Sequence, residues 1–240
     1  MMTKPAFRTP SAQSEMDVRS VISKLRSLSD PNAVLNMAKF GIKAEHAFGV
    51  SVPVLRRLAR SIGKDHMLAQ ELWETRIHEA RELATMIADP RQVTEDLMER
   101  WVKDIDSWDV CDHCCGNLWD KTPFAYGKAR EWSRRPQEFV KRASFSLMAA
   151  LAVHDKAASD TAFVKFLPII KRESIDERNF VKKAVNWALR QIGKRNGDLN
   201  RRAIETAREI QKLESKSARW IATDALRELT NARVQSRIKY

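Results

Sequence analysis

Residues 106–115 read DSWDVCDHCC and hold a tryptophan, three carboxylates, a histidine and all three cysteines of the chain. Four chemistries come into question: a metal site, a thiol nucleophile, a catalytic carboxylate, or a helix that packs. Ser107 is placed to cap a helix whose first turn contains Asp109, where the macrodipole favours a negative charge. On that helix Trp108, Cys111, Asp112 and Cys115 share one face at i, i+3, i+4 and i+7, and His113 and Cys114 turn away from it. A cysteine knuckle needs a turn that converges two sulfurs and a second ligand pair from elsewhere. No further cysteines exist, and although His78 or His154 could complete a site in principle, the spacing of a metal motif is absent, so no metal and no cofactor are expected. Acidic neighbours argue against an activated thiol, and the cysteines read as small residues packing between helices. Asp112, one turn from Trp108, keeps two readings: a carboxylate facing a cleft beside an indole, or a partner in a salt bridge to a neighbouring helix. Trp220 and Asp224 repeat the spacing, so it does not choose between them.

The elements that must position these residues read as helices almost throughout. Helices are predicted near 14–28, 31–40, 52–62, 65–75, 77–88, 94–105, 108–119, 123–134, 136–152, 159–172, 178–194, 198–213 and 216–229. Start signals come from Asp30-Pro31, Asp89-Pro90 with Thr94, Ser159, Asp198 and Ser215, and stops from Gly41, Gly63, Gly193 and Gly197. Short connections pair these helices antiparallel at close to the period of HEAT or armadillo arrays. The expected fold class is all-α, a superhelical solenoid of HEAT-like antiparallel helix pairs, with a globular bundle as the alternative. Residues 1–13, polar with two prolines, are expected to form a flexible tail, and 14–240 a single helical-repeat domain. Trp73, Trp101, Trp119 and Trp132 lie on amphipathic helices and read as packing residues.

The formal charge is +12, distributed unevenly: residues 1–120 hold 16 Lys and Arg against 18 Asp and Glu, and residues 121–240 hold 27 against 13. Doublets at Arg134-Arg135, Lys141-Arg142, Lys171-Arg172, Lys182-Lys183, Lys194-Arg195 and Arg201-Arg202 suggest a surface for a polyanion, with nucleic acid the leading partner. No run approaches a membrane span or a signal peptide, and the cysteines are too close together to staple the fold, which suggests a cytoplasmic protein.

With DSWDVCD, FVKRASFSLMAALAVHDK and RNFVKKAVNWALRQIGKRN in this order, and FGVSVPVLRRLAR upstream, the chain resembles the AlkD-like alkylpurine DNA glycosylases of the DNA alkylation repair family over roughly residues 15–230. The resemblance implies HEAT-like repeats, duplex DNA as partner, a monomer, and hydrolysis of the N-glycosidic bond of cationic N3- or N7-alkylpurines without metal or lysine nucleophile. It implies that Asp112, Trp108 and Trp187 line the catalytic cleft and that Arg142 and Lys141 hold phosphate. Arg178, Lys182, Lys183, Lys194 and Arg195 are further candidate DNA contacts. Two features depart from the family block: Ser107 stands where a second tryptophan is often found, and CDHCC continues the block. The alternative to catalysis is a helical-repeat module that binds DNA or a protein through its basic half.

Overall fold

A computed structural model describes residues 16–43 and 45–238; the expected tail at 1–13 lies outside them. The described residues are helical with no strand. The first helices are α1 (Val18–Ser27), α2 (Pro31–Lys39), α3 (Val52–Ile62), α4 (His66–Glu74) and α5 (His78–Ile87). They are followed by α6 (Glu95–Asp104), α7 (Trp108–His113), α8 (Ala125–Trp132), α9 (Glu138–His154) and α10 (Asp160–Val164). The last are α11 (Leu167–Glu173), α12 (Asn179–Gly193), α13 (Gly197–Gln211), α14 (Lys216–Leu229) and α15 (Ala232–Gln235).

Polar side chains set several of the starts. Asp17, Asp30, Asp65, Thr94, Asn196 and Ser215 each accept a backbone N–H of the first turn of α1, α2, α4, α6, α13 and α14, satisfying donors that a helix start leaves free. Helix pairs α4–α5, α8–α9, α11–α12 and α13–α14 stack so that α3, α5, α7, α9, α12 and α14 form one continuous row. This is the superhelical solenoid of HEAT-like pairs. Its core runs unbroken through the stack, with Trp73 stacked on Trp101 at 4.1 Å and Trp119 edge-on to Trp132 at 5.3 Å, all four buried. The indoles expected to pack do so.

Four expectations about the elements are corrected. The helix expected at 108–119 breaks after His113 into a π-helical turn, Cys114–Leu118, and a 3-10 turn, Trp119–Lys121. The Lys121 ammonium donates to the Gly116 and Asn117 carbonyls at 2.9 and 3.0 Å, satisfying acceptors that the looser winding frees. The helix expected at 159–172 splits into α10 and α11 around Lys165–Phe166, because Pro168 has no N–H to continue it. Asp198 does not start α13; Asn196 does, and Gly197 is the first helical residue rather than a stop. Gly193 is the last helical residue of α12, as its stop signal predicts, and a Cβ there would stand 2.8–2.9 Å from Leu229 and Ala203, because α12, α13 and α14 meet at it.

Candidate active site and nucleic-acid interface

Helix α7 sits between α5 and α9 and offers each a different face. Toward α9 it turns Cys111 and Asp112, and the π-helical turn that follows adds Cys115 to the same face. Cys115 Sγ lies 3.4 Å from the Ala143 carbonyl and Cys111 Sγ 3.7 Å from that of Phe139. Burial pushes the Cys114 and Cys115 thiols well above their ordinary range, which leaves them unreactive packing groups.

Asp112 is gripped by α9. Oδ1 accepts from Arg142 Nε at 3.2 Å and Ser146 Oγ at 2.7 Å, and Oδ2 accepts from Arg142 Nη2 at 2.8 Å. Arg142 Nη1 donates to the Phe180 carbonyl at 2.7 Å, so one guanidinium ties α7, α9 and the start of α12. Burial disfavours the charge on Arg142, and the carboxylates and thiols around it, Asp112 foremost, more than offset this and raise its pKa. The pair is asymmetric: the Arg142 side chain is 6% exposed and that of Asp112 20%. A carboxylate has about four acceptor positions. Three are taken among the described residues, two on Oδ1 and one on Oδ2.

Trp108 donates its Nε1–H to the Phe40 carbonyl at 3.0 Å, and the Arg142 guanidinium lies 6.0 Å from the centre of its ring. The chain after α2 thus crosses toward α7. Gly41, at φ +74°, lets it turn, and a Cβ there would come within 3.0 Å of the Phe180 ring. Trp187 is half-buried on α12, seven residues and two turns beyond Phe180 on the same side of the helix.

The expected phosphate contacts fall into two groups. Lys141 pairs with Glu173 at 2.5 Å and Asp176 at 3.4 Å; Arg178 pairs with Asp176 at 2.6 Å and the Pro136 carbonyl; Lys194 pairs with Glu228 at 2.7 Å. Arg195 donates to the Ala152 carbonyl at 2.7 Å and lies over the Phe163 ring. With Arg142, these five bridge successive repeats. Lys182 and Lys183 make no ion pair among the described residues; Lys183 is exposed, and Lys182 Nζ stands 5.1 Å above the ring of Trp220, which is itself 42% exposed.

Toward α5, α7 turns Asp109 and His113. His78 Nε2 lies 3.0 Å from Asp109 Oδ2 and 3.8 Å from Glu82 Oε1, and His113 Nδ1 lies 2.9 Å from Glu82 Oε1. Burial alone would lower the pKa of both histidines, and the facing carboxylates raise both instead. Ser107 does not cap α7: its hydroxyl donates to Asp109 Oδ1 at 2.5 Å. These partners of His78 and His113 were not recognised in the sequence. The signal was there, as His-x-x-x-Glu on one helix and Asp-x-x-x-His on another. A cavity of about 420 Å³, lined among others by His78 and Val110, opens on this side of α7, away from Asp112.

A family model described as DNA alkylation repair enzyme matches residues 21–229. An uncharacterized protein of Listeria innocua, Lin0241, is 20% identical over 195 residues, 80% of this chain and 85% of that one. Among solved structures, a protein of a new family related to the HEAT-like repeat DNA glycosylases, with affinity for branched DNA structures, superposes with a TM-score of 0.76 at 23% identity. It covers 93% of this chain and 97% of that one. No helix among the described residues is long and apolar enough to cross a membrane.

Proposed function

The chain belongs to the DNA alkylation repair enzyme family, and from that premise we propose that it is a DNA glycosylase that releases cationic N3- or N7-alkylpurines from duplex DNA. Alkylation at a ring nitrogen puts positive charge on the base, which weakens its bond to the sugar and makes it a leaving group that needs no general acid. As the bond breaks, positive charge passes to the deoxyribose. A fixed carboxylate opposite that sugar stabilises the oxocarbenium character and orients the attacking water.

The observation that carries this reading is the Asp112 carboxylate, held still by Arg142 and Ser146 at the more exposed end of the pair, with one bond on Oδ2 against two on Oδ1 among the described residues. Arg142 neutralises part of the field and is the more buried partner, so the carboxylate is the end of the pair nearer solvent. On this reading Arg142 is a positioning residue and not a phosphate clamp. Trp108 and Trp187 are the aromatic walls, whose faces attract the same cation. Of the expected contacts, phosphate falls to Lys182 and Lys183, which make no ion pair among the described residues, Lys182 standing over Trp220. The test is base release from methylated duplex DNA by the wild-type protein and by Asp112→Asn, with DNA affinity measured in parallel. Loss of release with affinity kept supports the reading.

A second reading, DNA binding without base release, is favoured by the engagement of Asp112 on three of its four acceptor positions. It predicts salt-sensitive binding that survives Asp112→Asn and no free base from the wild-type protein.

A further inference from the structure

The opposite face of α7 carries a group of side chains that the proposed reaction does not use. His78 and Glu82 are one turn apart on α5; Asp109 and His113 are one turn apart on α7, and the two pairs face each other. His78 and Glu82 occupy the i, i+4 spacing that lets one helix present two ligands to a single ion. We propose that His78, Glu82 and Asp109 bind one divalent transition-metal ion, zinc by the chemistry of the donors, between α5 and α7, with water in the fourth position.

Donor identity comes first. One imidazole nitrogen and two carboxylate oxygens suit zinc, which takes three protein ligands and a water at sites that keep one position open. Donor atoms of His78, Glu82 and Asp109 all lie within 4.8 Å of one another. Ligands at about 2.0–2.1 Å from a tetrahedral zinc stand roughly 3.4 Å apart. The separations from His78, 3.0 Å to Asp109 and 3.8 Å to Glu82, bracket that value.

Charge and orientation agree. Two carboxylates facing the neutral His78 imidazole leave a charge of −2 at side chains of 4–13% exposure, which a divalent cation neutralises. His113 supports Glu82 from α7, its Nδ1 2.9 Å from Oε1. Outer support is present on Asp109, whose Oδ1 accepts from Ser107 Oγ at 2.5 Å and from the Val110 N–H at 2.9 Å, leaving Oδ2 for the ion. The cavity lined by His78, Glu45, Asp104 and Asp106 supplies a route from solvent. The role this gives the ion is to fix α7, and so Asp112 on its far face, without contact with DNA.

The experiment uses the full chain stripped with chelator and dialysed. Zinc chloride is titrated by calorimetry, and cobalt(II) is followed by its visible spectrum. The expected result is one equivalent of zinc per chain and tetrahedral cobalt bands without thiolate charge transfer. Asp109→Asn and His78→Asn each weaken zinc affinity at least roughly 100-fold, whereas Cys114→Ser and Asp112→Asn leave it unchanged. If either histidine-site variant fails to fold, the wild-type cobalt spectrum still decides. No saturable binding, a thiolate band, or binding retained in both Asp109→Asn and His78→Asn overturns the assignment. Because Asp112→Asn is predicted to bind zinc normally, failure of the metal site and failure of the glycosylase reading are separate outcomes.

Discussion

Replacing Arg142 with methionine keeps the aliphatic length of the side chain and removes every polar interaction it makes. The loss comprises two charge-assisted bonds to Asp112, at 3.2 and 2.8 Å, and one bond to the Phe180 carbonyl at 2.7 Å. Removing one partner of a buried ion pair costs about 3–5 kcal/mol, because the other charge stays behind without compensation. The 20% exposure of Asp112 lets water reach the orphaned carboxylate, which places this site near the low end, at ~3 kcal/mol. In a chain of this length that corresponds to a fall in Tm of roughly 6–12 °C. Asp112→Asn strands the guanidinium instead, which at 6% exposure water reaches less readily, and costs about 3–5 kcal/mol by the same reasoning. The double variant leaves neither charge, so its cost falls short of the sum by about 2 kcal/mol, the coupling energy of the pair. Urea unfolding of the four proteins, followed by circular dichroism and tryptophan fluorescence, measures it. Additivity within about 0.5 kcal/mol would refute the claim that Arg142 holds Asp112, and with it the positional basis for catalysis.

Charge reversal of both Lys182 and Lys183 to glutamate weakens duplex affinity and lowers the salt slope of binding by about 2, one for each phosphate that is no longer neutralised, whereas Lys194→Ala leaves the slope unchanged because Lys194 is committed to Glu228. Equal slopes in all three proteins would place the interface elsewhere. Glu99 governs part of the acid sensitivity: burial tends to raise its pKa, but the Trp132 N–H and Lys128 bonds outweigh that and hold it below the ordinary carboxylate value. A depressed folded pKa stabilises above the unfolded value, about 4.3, and the stability is lost as pH falls through the folded one. Glu99→Gln therefore flattens the stability curve below about pH 4.5, and an unchanged acid limb would show that Glu99 does not contribute.

The helices were legible because their starts are written in short-range chemistry: Asp30, Thr94 and Ser215 accept the first-turn amides their side chains can reach without help from the rest of the fold. The stack of pairs followed from helix lengths and short connections. Gly193 ends α12 as its letter suggests, but that it also admits three packed helices is not visible in a string of letters; only the approach of Ala203 and Leu229 shows it. The grouping of Cys111 and Asp112 on one face needed only the helical period. That Asp112 meets Arg142, thirty residues away, depends on how α7 and α9 pack, which local spacing does not encode. The basic doublets show the same limit from the other side. Composition reports how many cations there are, but Lys141, Lys171 and Lys194 are paired with carboxylates of the next repeat and Arg142 with Asp112, so the exposed charge is narrower than the count.

The central claim is that a single ionised carboxylate, fixed beside indole walls, drives cleavage of the bond between a cationic base and its sugar. Single-turnover release of alkylated purine from methylated duplex, compared between the wild-type protein and Asp112→Asn, tests it most directly. The account predicts base release by the wild type, a fall of about 100- to 1,000-fold in the single-turnover rate for the variant, and DNA affinity within about twofold, a difference of only ~0.4 kcal/mol. Equal rates in the two proteins, or no release by either, would contradict it.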